Sequence, residues 1–262
     1  MGFLACCASG WAGPAAIAQE SMDVPSDDWR FSAGLGVVSH PQYPGSSDTK
    51  TSTLPSFSAN YGRYFIGGLT DAGVPFGVGA NIIQNDHWRL GVGLGIDTNS
   101  PRQESDSSHL QGMGDIDATT RGALFASYSQ SWWKVAGNLV TDLGGKDQGS
   151  RGALELEVSY HPTQRLELSA GPGIAWADSK YNQTFFGVTV AQSARSGLPS
   201  YTADAGINAL NFNIGARYAL SPQWGLGARF TASSLRGDAG DSPITQQKSQ
   251  NTFGAFLNYR FR

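Results

Sequence analysis

The chain is dominated by long runs in which apolar and polar residues alternate. The run WRLGVGLGID, residues 88–97, is typical, and similar alternation fills residues 29–37, 154–161, 210–218 and 224–233. A period of two places successive side chains on opposite faces of a β-strand. These runs are nine to a dozen residues long, which suits a tilted strand that crosses a bilayer better than a globular strand of about five or six residues.

The polar face of these runs distinguishes them from the strands of a soluble sandwich. It consists mainly of glycine and whole charges, whereas the opposite face is almost purely apolar. Within lipid every backbone group must be paired, so a spanning sheet must close into a barrel. The apolar face then points to lipid, and the glycine-rich face points to the lumen. The fold class predicted is therefore all-β, a transmembrane antiparallel β-barrel.

The connections between the runs give a strand count and an orientation. Twelve strands are predicted, at residues 28–39, 54–62, 63–70, 74–84, 87–98, 116–130, 132–143, 151–161, 164–177, 206–219, 223–235 and 248–262. Every second connection is very short (YGR, QNDH, QSW, HPTQ and SPQ), and most of the others are long. Outer-membrane barrels have short periplasmic turns and longer external loops. An even strand number also places both ends of the barrel on the periplasmic side.

Aromatic residues collect beside the short connections. They are Tyr61, Tyr64, Trp88, Tyr128, Trp132, Trp133, Tyr160, Tyr218, Trp224 and Tyr259, with Trp29 and Phe261 at the ends of the barrel. Such a belt is expected at a membrane interface, and ordinary core aromatics would not concentrate at alternate connections.

The N-terminal segment differs from everything that follows it. Residues 1–18 carry no charge and end in Ala-Ile-Ala, which predicts a signal peptide that lacks its basic region. Both cysteines, Cys6 and Cys7, lie within it, and Cys7 as a lipoprotein cysteine is the weaker alternative. We therefore assign residues 28–262 to the barrel. The net charge of −3 argues against nucleic acid as a partner.

Residues 181–206 interrupt the alternation with an insert that contains its own helix signals. Thr189 is the predicted N-cap, Gln192 its capping-box partner, and Gly197 the stop of a short helix near 190–195. The insert is rich in apolar residues, namely Phe185, Phe186, Val188, Val190 and Leu198. We expect them to be buried in the extracellular mouth, since their joint exposure would create an apolar patch. A surface for binding a ligand or host molecule is the alternative.

Charged residues on the predicted lumen face form a second candidate site. They are Arg30, Arg89, Lys134, Glu155, Glu157, Glu167, Arg217, Arg229 and Arg260. One interpretation is an internal salt-bridge network that offsets the cost of enclosing charge. The other is a cationic constriction that selects solutes. A barrel of twelve strands lies between filled and open barrels in size, so strand number alone leaves both possibilities open.

The sequence offers little for catalysis. It lacks a G-x-S-x-G elbow and an H-E-x-x-H motif, which are signatures of hydrolases and metalloproteases. The best acid–base cluster is His109 with Asp115 and Asp117, and a solvated polar loop explains it better. We predict a protein that is not an enzyme and has no cofactor or metal.

Three segments resemble the MipA/OmpV family of Gram-negative outer-membrane proteins. They are Pro41-x-Tyr43-x-Gly45-Ser46, then Pro55 with Tyr61, and finally Tyr181 through Phe186, Gly187 and Val188 to Gln192, Ser196 and Gly197. The resemblance extends from about residue 28 to the C-terminus. The sequence departs from the usual aromatic barrel terminus in ending on Arg262, one residue after Phe261.

This resemblance implies a function as well as a location. It implies an outer membrane with its lipid and lipopolysaccharide. For the MipA branch it implies a scaffold that joins a lytic transglycosylase, MltA, to a bifunctional penicillin-binding protein in murein synthesis. Other members are described as adhesins or channels, so a passive channel for small solutes and a surface adhesin remain alternatives.

Overall fold

A computed structural model describes residues 28–69, 73–96 and 101–261. The expected signal peptide at residues 1–18 lies outside the described residues. Twelve strands close into one antiparallel barrel in chain order, as the alternation predicts. They are β1 Arg30–Pro41, β2 Thr49–Tyr61, β3 Tyr64–Leu69, β4 Val74–Gln84, β5 Trp88–Ile96, β6 Thr120–Ser129, β7 Trp133–Asp142, β8 Ser150–Thr163, β9 Leu166–Ala177, β10 Gly206–Ala219, β11 Trp224–Leu235 and β12 Ser249–Arg260.

The barrel closes where its first and last strands pair. The β1–β12 ladder extends from Ser32↔Arg260 to Ser39↔Phe253. We call the end with the five short turns the short-turn end, and the opposite end the long-loop end. Both β1 and β12 have their free ends at the short-turn end, as an even strand number requires.

Two strand boundaries differ from the expectation by more than two residues. Strand β2 begins at Thr49 instead of residue 54. The outward positions of its first segment, TKTST, hold threonine instead of an apolar residue, so the alternation is not visible in the sequence. Strand β6 begins at Thr120 instead of residue 116. Ile116 forms an isolated bridge with Arg102 in the preceding loop, so its apolar side chain packs in a loop cluster.

The outward face is apolar, and the aromatic belt lies at the short-turn end. The outward apolar side chains of β1 (odd-numbered, 31–37) and β5 (even-numbered) are exposed, except for the half-buried Ala33 and Leu90. Belt rings contact one another between strands. The ring centroids are 5.1 Å apart for Trp29 and Tyr61 and 4.9 Å apart for Trp224 and Tyr259.

The lumen face is less polar than the sequence predicts. Phe65, Phe125 and Phe256 point inward and are buried, whereas mainly glycine and charged residues were expected there. Each ring lies over a glycine of a neighbouring strand: a methyl group added at Gly79 would overlap Phe65, and one at Gly91 would overlap Phe125. The glycines thus provide the room that these rings occupy.

Three short α-helices lie in the described long loops, together with two 3-10 turns at Glu104–Asp106 and Ser108–Leu110. Helices α1 Ser179–Phe186 and α2 Val190–Ser196 occupy the β9–β10 loop, and α3 Gly237–Asp241 occupies the β11–β12 loop. The sequence predicted only the second of these. None of the helices in the described ranges has the length and apolar character to cross a membrane.

Candidate functional site

An ion pair joins strands that are not neighbours in the barrel wall. Arg229 on β11 lies with Nη2 3.2 Å from Oε2 of Glu155 on β8, so the pair reaches across the lumen face of β9 and β10. Small residues make this possible, because Gly215 on β10 and Gly173 on β9 carry no side chain that would block the contact. Both partners are largely buried, with side-chain exposures of 23% and 18%.

A second cluster lies nearer the short-turn end. Arg217 Nη2 is 2.9 Å from Glu167 Oε1 and 3.7 Å from Glu157 Oε1. Ser159 Oγ donates to Glu167 Oε1 at 3.3 Å, and His161 Nε2 lies 3.4 Å from Glu167 Oε2. The structure thus places Glu155, Glu157, Glu167, Arg217 and Arg229 in two ion-paired groups on β8–β11.

Arg89 is held on the opposite side of the lumen by aromatic rings. Its guanidinium lies 5.7 Å from the ring centroid of Phe65 and 5.2 Å from that of Phe125. Its Nε donates to Asn81 Oδ1 at 2.9 Å. A cation near two aromatic rings is stabilised by their quadrupoles, so Arg89 is held against the lumen wall of β3–β6.

The remaining predicted lumen cations lie at the short-turn end. Arg30 and Lys134 are half-buried on the inward rows of β1 and β7, and Lys134 stands opposite Glu157 in the β7–β8 register. Arg260 belongs to the inward row of β12 but is exposed at the end of the strand. Arg260 stands opposite Ser32 on β1, two residues from Arg30, whereas Lys134 on β7 lies half of the twelve-strand circuit away.

Two inward arginines were missed by sequence reasoning. Arg121 on β6 donates from Nη2 to Gln148 Oε1 at 2.5 Å, and Arg151 on β8 donates to the Gly73 carbonyl at 2.7 Å. The β6 sequence RGALFASYS has apolar residues in both alternating rows, so the pattern does not reveal which row faces the lumen. Both arginines lie toward the long-loop end.

Four long loops pack against one another at the long-loop end, and we call them the mouth cap. The mouth cap consists of residues 42–48, 101–119, 178–205 and 236–248. Its centre is helix α1, where the Tyr181 and Phe185 rings stack at 4.3 Å and Phe186 is fully buried. Asp178 caps α1 by accepting from the Tyr181 N–H at 2.8 Å.

Helix α2 forms the outer layer of the mouth cap. Thr189 and Gln192 make the reciprocal capping box, and Gly197 ends the helix with φ 77°. The Gln192 amide also donates to the Met113 carbonyl at 2.8 Å, which ties α2 to a second loop. Val190 was expected to be buried and is 80% exposed, because it begins the helix on the side facing away from the barrel.

The last residues of the predicted mouth loop shape the turns around α2. Gly187 follows α1, and its N–H donates to the carbonyls of Asn182 and Gln183. Ser196 is the last residue of α2, and its hydroxyl accepts from the Leu198 N–H at 3.2 Å. Val188 pairs with Tyr201 in an isolated bridge, so the loop folds back on itself between its two helical layers.

Loops from opposite walls of the barrel meet in the mouth cap. The β5–β6 and β11–β12 loops are separated by half of the twelve-strand circuit. His109 Nε2 nevertheless lies 3.0 Å from the Pro243 carbonyl, and Leu110 and Met113 pack in one cluster with Ile244. The mouth is therefore bridged from side to side.

Helix α1 is tied to both of these loops by its carbonyl groups. The buried Arg102 donates from Nη1 to the Phe185 carbonyl at 2.9 Å. Ser242 Oγ donates to the Phe186 carbonyl at 2.5 Å. The last carbonyls of a helix have no partner within it, so these contacts satisfy groups that burial would otherwise make costly.

Two tyrosines add polar ties within the mouth cap. Burial raises the pKa of Tyr43 to about 12, and its hydroxyl donates to Gln246 Oε1 at 2.9 Å. Burial, together with nearby aspartates, also raises the pKa of Tyr201, which donates to the Asp238 carbonyl at 3.1 Å. Both phenols therefore stay protonated and act as donors at neutral pH.

The candidate acid–base cluster is divided among different partners. Asp117 pairs with Lys146 Nζ at 2.9 Å, Asp115 Oδ1 accepts from the Glu104 N–H at 2.7 Å, and His109 contacts Pro243 as described. Among the residues that the structure describes, no group of three or more His, Cys, Asp or Glu side chains could hold a metal ion. These carboxylates therefore stabilise the loops through their contacts.

Comparison with known proteins gives one family and one fold. The family model described as MltA-interacting protein MipA matches residues 33–261. The MltA-interacting protein of Escherichia coli strain K12 is 21% identical over 248 residues, which cover 92% of this chain and 94% of that protein. The outer membrane protein YiaT of the same strain is 26% identical over 161 residues.

The YiaT match covers only part of each chain, and a solved structure adds a likeness in fold. The YiaT match covers 60% of this chain and 63% of YiaT, less than two thirds of that relative's length. Among solved structures, an outer membrane channel of Pseudomonas putida F1 has a TM-score of 0.53 at 13% identity, with 92% of this chain and 98% of that chain covered. That likeness concerns the fold alone.

Proposed function

This chain belongs to the MipA family of outer-membrane β-barrels, and from that premise we propose that it is a non-enzymatic scaffold. In this proposal it binds a lytic transglycosylase of the MltA type at its short-turn end, in the periplasm. A bifunctional penicillin-binding protein is the second proposed partner. The observation that carries the proposal is the mouth cap, in which loops from opposite walls contact each other. A barrel bridged in this way is better suited to holding a partner than to passing solutes.

The β8–β9 hairpin is the part of the short-turn end that best suits a partner. Strand β8 continues past the belt residue Tyr160 to Thr163, and residues 161–165 are all exposed. This hairpin therefore projects beyond the aromatic belt. The other short turns, such as that before Trp224, end close to the belt. A partner that touches only such turns would have a small interface, so we propose that the projecting hairpin supplies its centre.

Binding of a purified transglycosylase from the same bacterium tests this function. The refolded barrel should retain the enzyme on a column, and replacing residues 161–165 with a two-residue Asn-Gly turn should reduce the affinity at least tenfold. Lys180→Ala, on the mouth cap, is the matched control and should bind as the parent does. Absence of binding by the parent barrel, or equal binding by the hairpin variant, would count against the proposal.

A restricted channel for anions is the second candidate function. More cations than anions line the inward rows, since Arg89, Arg121 and Arg151 add to the ion-paired Arg217 and Arg229. A lumen with excess positive charge favours anions. This candidate requires the mouth cap to open, and conductance in planar bilayers distinguishes it from a closed scaffold.

A further inference from the structure

Strand β2 is paired along its whole length on only one of its two edges. Its ladder with β1 extends from Arg30↔Asn60 to Pro41↔Thr49. Its ladder with β3 contains four pairs, from Tyr61↔Tyr64 to Ser58↔Gly67. Within the described ranges, no other strand pairs with residues 49–57 on the β3 side.

The geometry of β3 explains why this ladder ends. Gly67 has φ 136°, a conformation that glycine alone adopts readily. Beyond it the register with β4 shifts, and β3 closes on β4 at Leu69↔Val74. The β3–β4 hairpin therefore turns back well below the top of β2. Gly73, the residue before β4, accepts a hydrogen bond from Arg151 on β8, away from the edge of β2.

Pro55 shows which backbone groups point into the gap. Pro55 stands opposite Leu35 and has no N–H to donate. The Leu35–Pro55 pair must therefore be of the non-hydrogen-bonded kind. Because the pattern repeats every two residues, Thr51 and Thr53 also direct their N–H and C=O groups away from β1, toward the open edge.

This edge lies at the level of the membrane. Thr53 stands opposite Val37 and Pro55 opposite Leu35, and both β1 side chains are exposed on the apolar face. Pro55 is six residues above the belt residue Tyr61, or roughly 15 Å along a tilted strand. An apolar band about 25 Å tall then places Thr51 and Thr53 in its outer half, where unpaired backbone groups are costly.

The outward side chains of the edge are also unusual for a lipid-facing row. They are Thr49, Thr51, Thr53 and Pro55, where β1 presents Leu35 and Val37 at the same level. Threonine hydroxyls both donate and accept hydrogen bonds. The edge therefore offers donors and acceptors together, from backbone and side chains, at the depth of the outer leaflet.

We propose that residues 49–57 form a binding edge for a lipopolysaccharide molecule of the outer leaflet. A complementary ligand must carry both donors and acceptors within its acyl region. The amide-linked hydroxyacyl chains of lipopolysaccharide do so, whereas ester-linked phospholipids offer acceptors only. The amides and hydroxyls would pair with Thr51 and Thr53, and the acyl chains would cover the gap above Gly67. This site is independent of any partner at the short-turn end.

Residue-resolved hydrogen exchange of the refolded barrel in detergent micelles tests the open edge first. The Thr51 and Thr53 amides should exchange at least tenfold faster than the Ser52 and Leu54 amides, which bond to β1. In β10, which is paired on both sides, odd and even amides should be equally slow. Slow exchange at Thr51 and Thr53 without lipid would overturn the proposal, because the chain would then cover its own edge.

The ligand is tested by adding Kdo2-lipid A to the same sample. Protection of the Thr51 and Thr53 amides by at least tenfold supports the proposal, and no protection overturns it. Equal protection by phosphatidylglycerol would overturn the choice of an amide-linked lipid. Protection that accompanies dimerisation, detected by analytical ultracentrifugation, would assign the edge to a second copy of the chain instead.

A pair of proline variants keeps the test independent of folding defects. Thr53→Pro removes an N–H from the open edge only, so the barrel should still fold and show heat-modifiable migration. Its retention of Kdo2-lipid A in native mass spectrometry should fall roughly tenfold, the loss expected for one hydrogen bond. Leu54→Pro removes an N–H from the β1 ladder and should reduce the folded yield. Equal folding of both variants, or undiminished retention by Thr53→Pro, would contradict the proposed edge.

Discussion

At the scale of single residues, charged side chains in the lumen form ion pairs with residues on distant strands. Glu155 and Arg229 are three strands apart in the barrel order, and their contact depends on glycines in the strands between them. Enclosed charges stabilise a fold only when each finds a partner, since an isolated one is costly. Pairing therefore offsets part of the cost of enclosing these charges, whatever solute selectivity the lumen has.

Removing one partner of this pair should destabilise the barrel. Arg229→Gln leaves the Glu155 carboxylate without its cation, and we expect a loss of about 1–3 kcal/mol in the free energy of unfolding, discounted for partial exposure. Glu155→Gln combined with Arg229→Gln should recover part of that loss. Urea unfolding in lipid vesicles measures both, with Lys180→Gln of an exposed ion pair as a control that should be unchanged. Additive effects of the two substitutions would show that the pair contributes no coupling.

The glycine beneath Phe125 permits a second residue-level prediction. Gly91→Ala places a methyl group where the Phe125 ring lies, and the ring contacts Arg89. We expect a loss of about 1–3 kcal/mol from overpacking in the same unfolding assay. Gly225→Ala, at a lumen position with open space around it, is the matched control. Equal stability of the two variants would contradict the packing described for the lumen.

At the scale of elements, the strands were predictable from the sequence and the loops only in part. A two-residue period is a local signal, so it located twelve strands. Helix α2 was found because Thr189, Gln192 and Gly197 are local signals too. Helix α1 has little besides its N-cap Asp178, and its position depends on contacts with Arg102 and Ser242, which lie far away in the sequence. The cross-lumen partner of Arg229 was unpredictable for the same reason.

The contrast between two apolar residues of the same loop tests the mouth cap. Phe186 is fully buried in the apolar cluster at the centre of the mouth cap, whereas Val190 is 80% exposed. Phe186→Ala should lower stability by about 3–5 kcal/mol, and Val190→Ala should change it by less than about 0.5 kcal/mol. Thermal unfolding and hydrogen exchange of residues 179–188 measure this difference. An unaffected Phe186→Ala variant would mean that the mouth cap is not packed as a unit.

At the scale of the whole molecule, the two ends of the barrel have different characters. The long-loop end is bridged by contacts between opposite walls, and the short-turn end carries the aromatic belt and the projecting β8–β9 hairpin. Between them the lumen contains three inward phenylalanines and the ion-paired clusters. This arrangement combines a loop-bridged end with an end that carries a projecting hairpin, and it favours the proposed scaffold over the channel.

Conductance of the whole barrel decides whether the mouth cap closes it. The parent protein should show little conductance in planar bilayers, and deleting residues 183–200 should raise it, because α2 and the end of α1 are then removed from the mouth. In that deletion background, Arg89→Gln with Arg217→Gln should shift the selectivity toward cations, since two positive charges leave the lumen. Arg195→Gln, which alters a cation on α2 and leaves the lumen charges intact, should leave the parent as closed as before. High conductance of the parent would show that the loops do not seal the mouth, and the channel would then become the leading function. Unchanged selectivity in the double substitution would remove Arg89 and Arg217 from the narrowest part of the lumen.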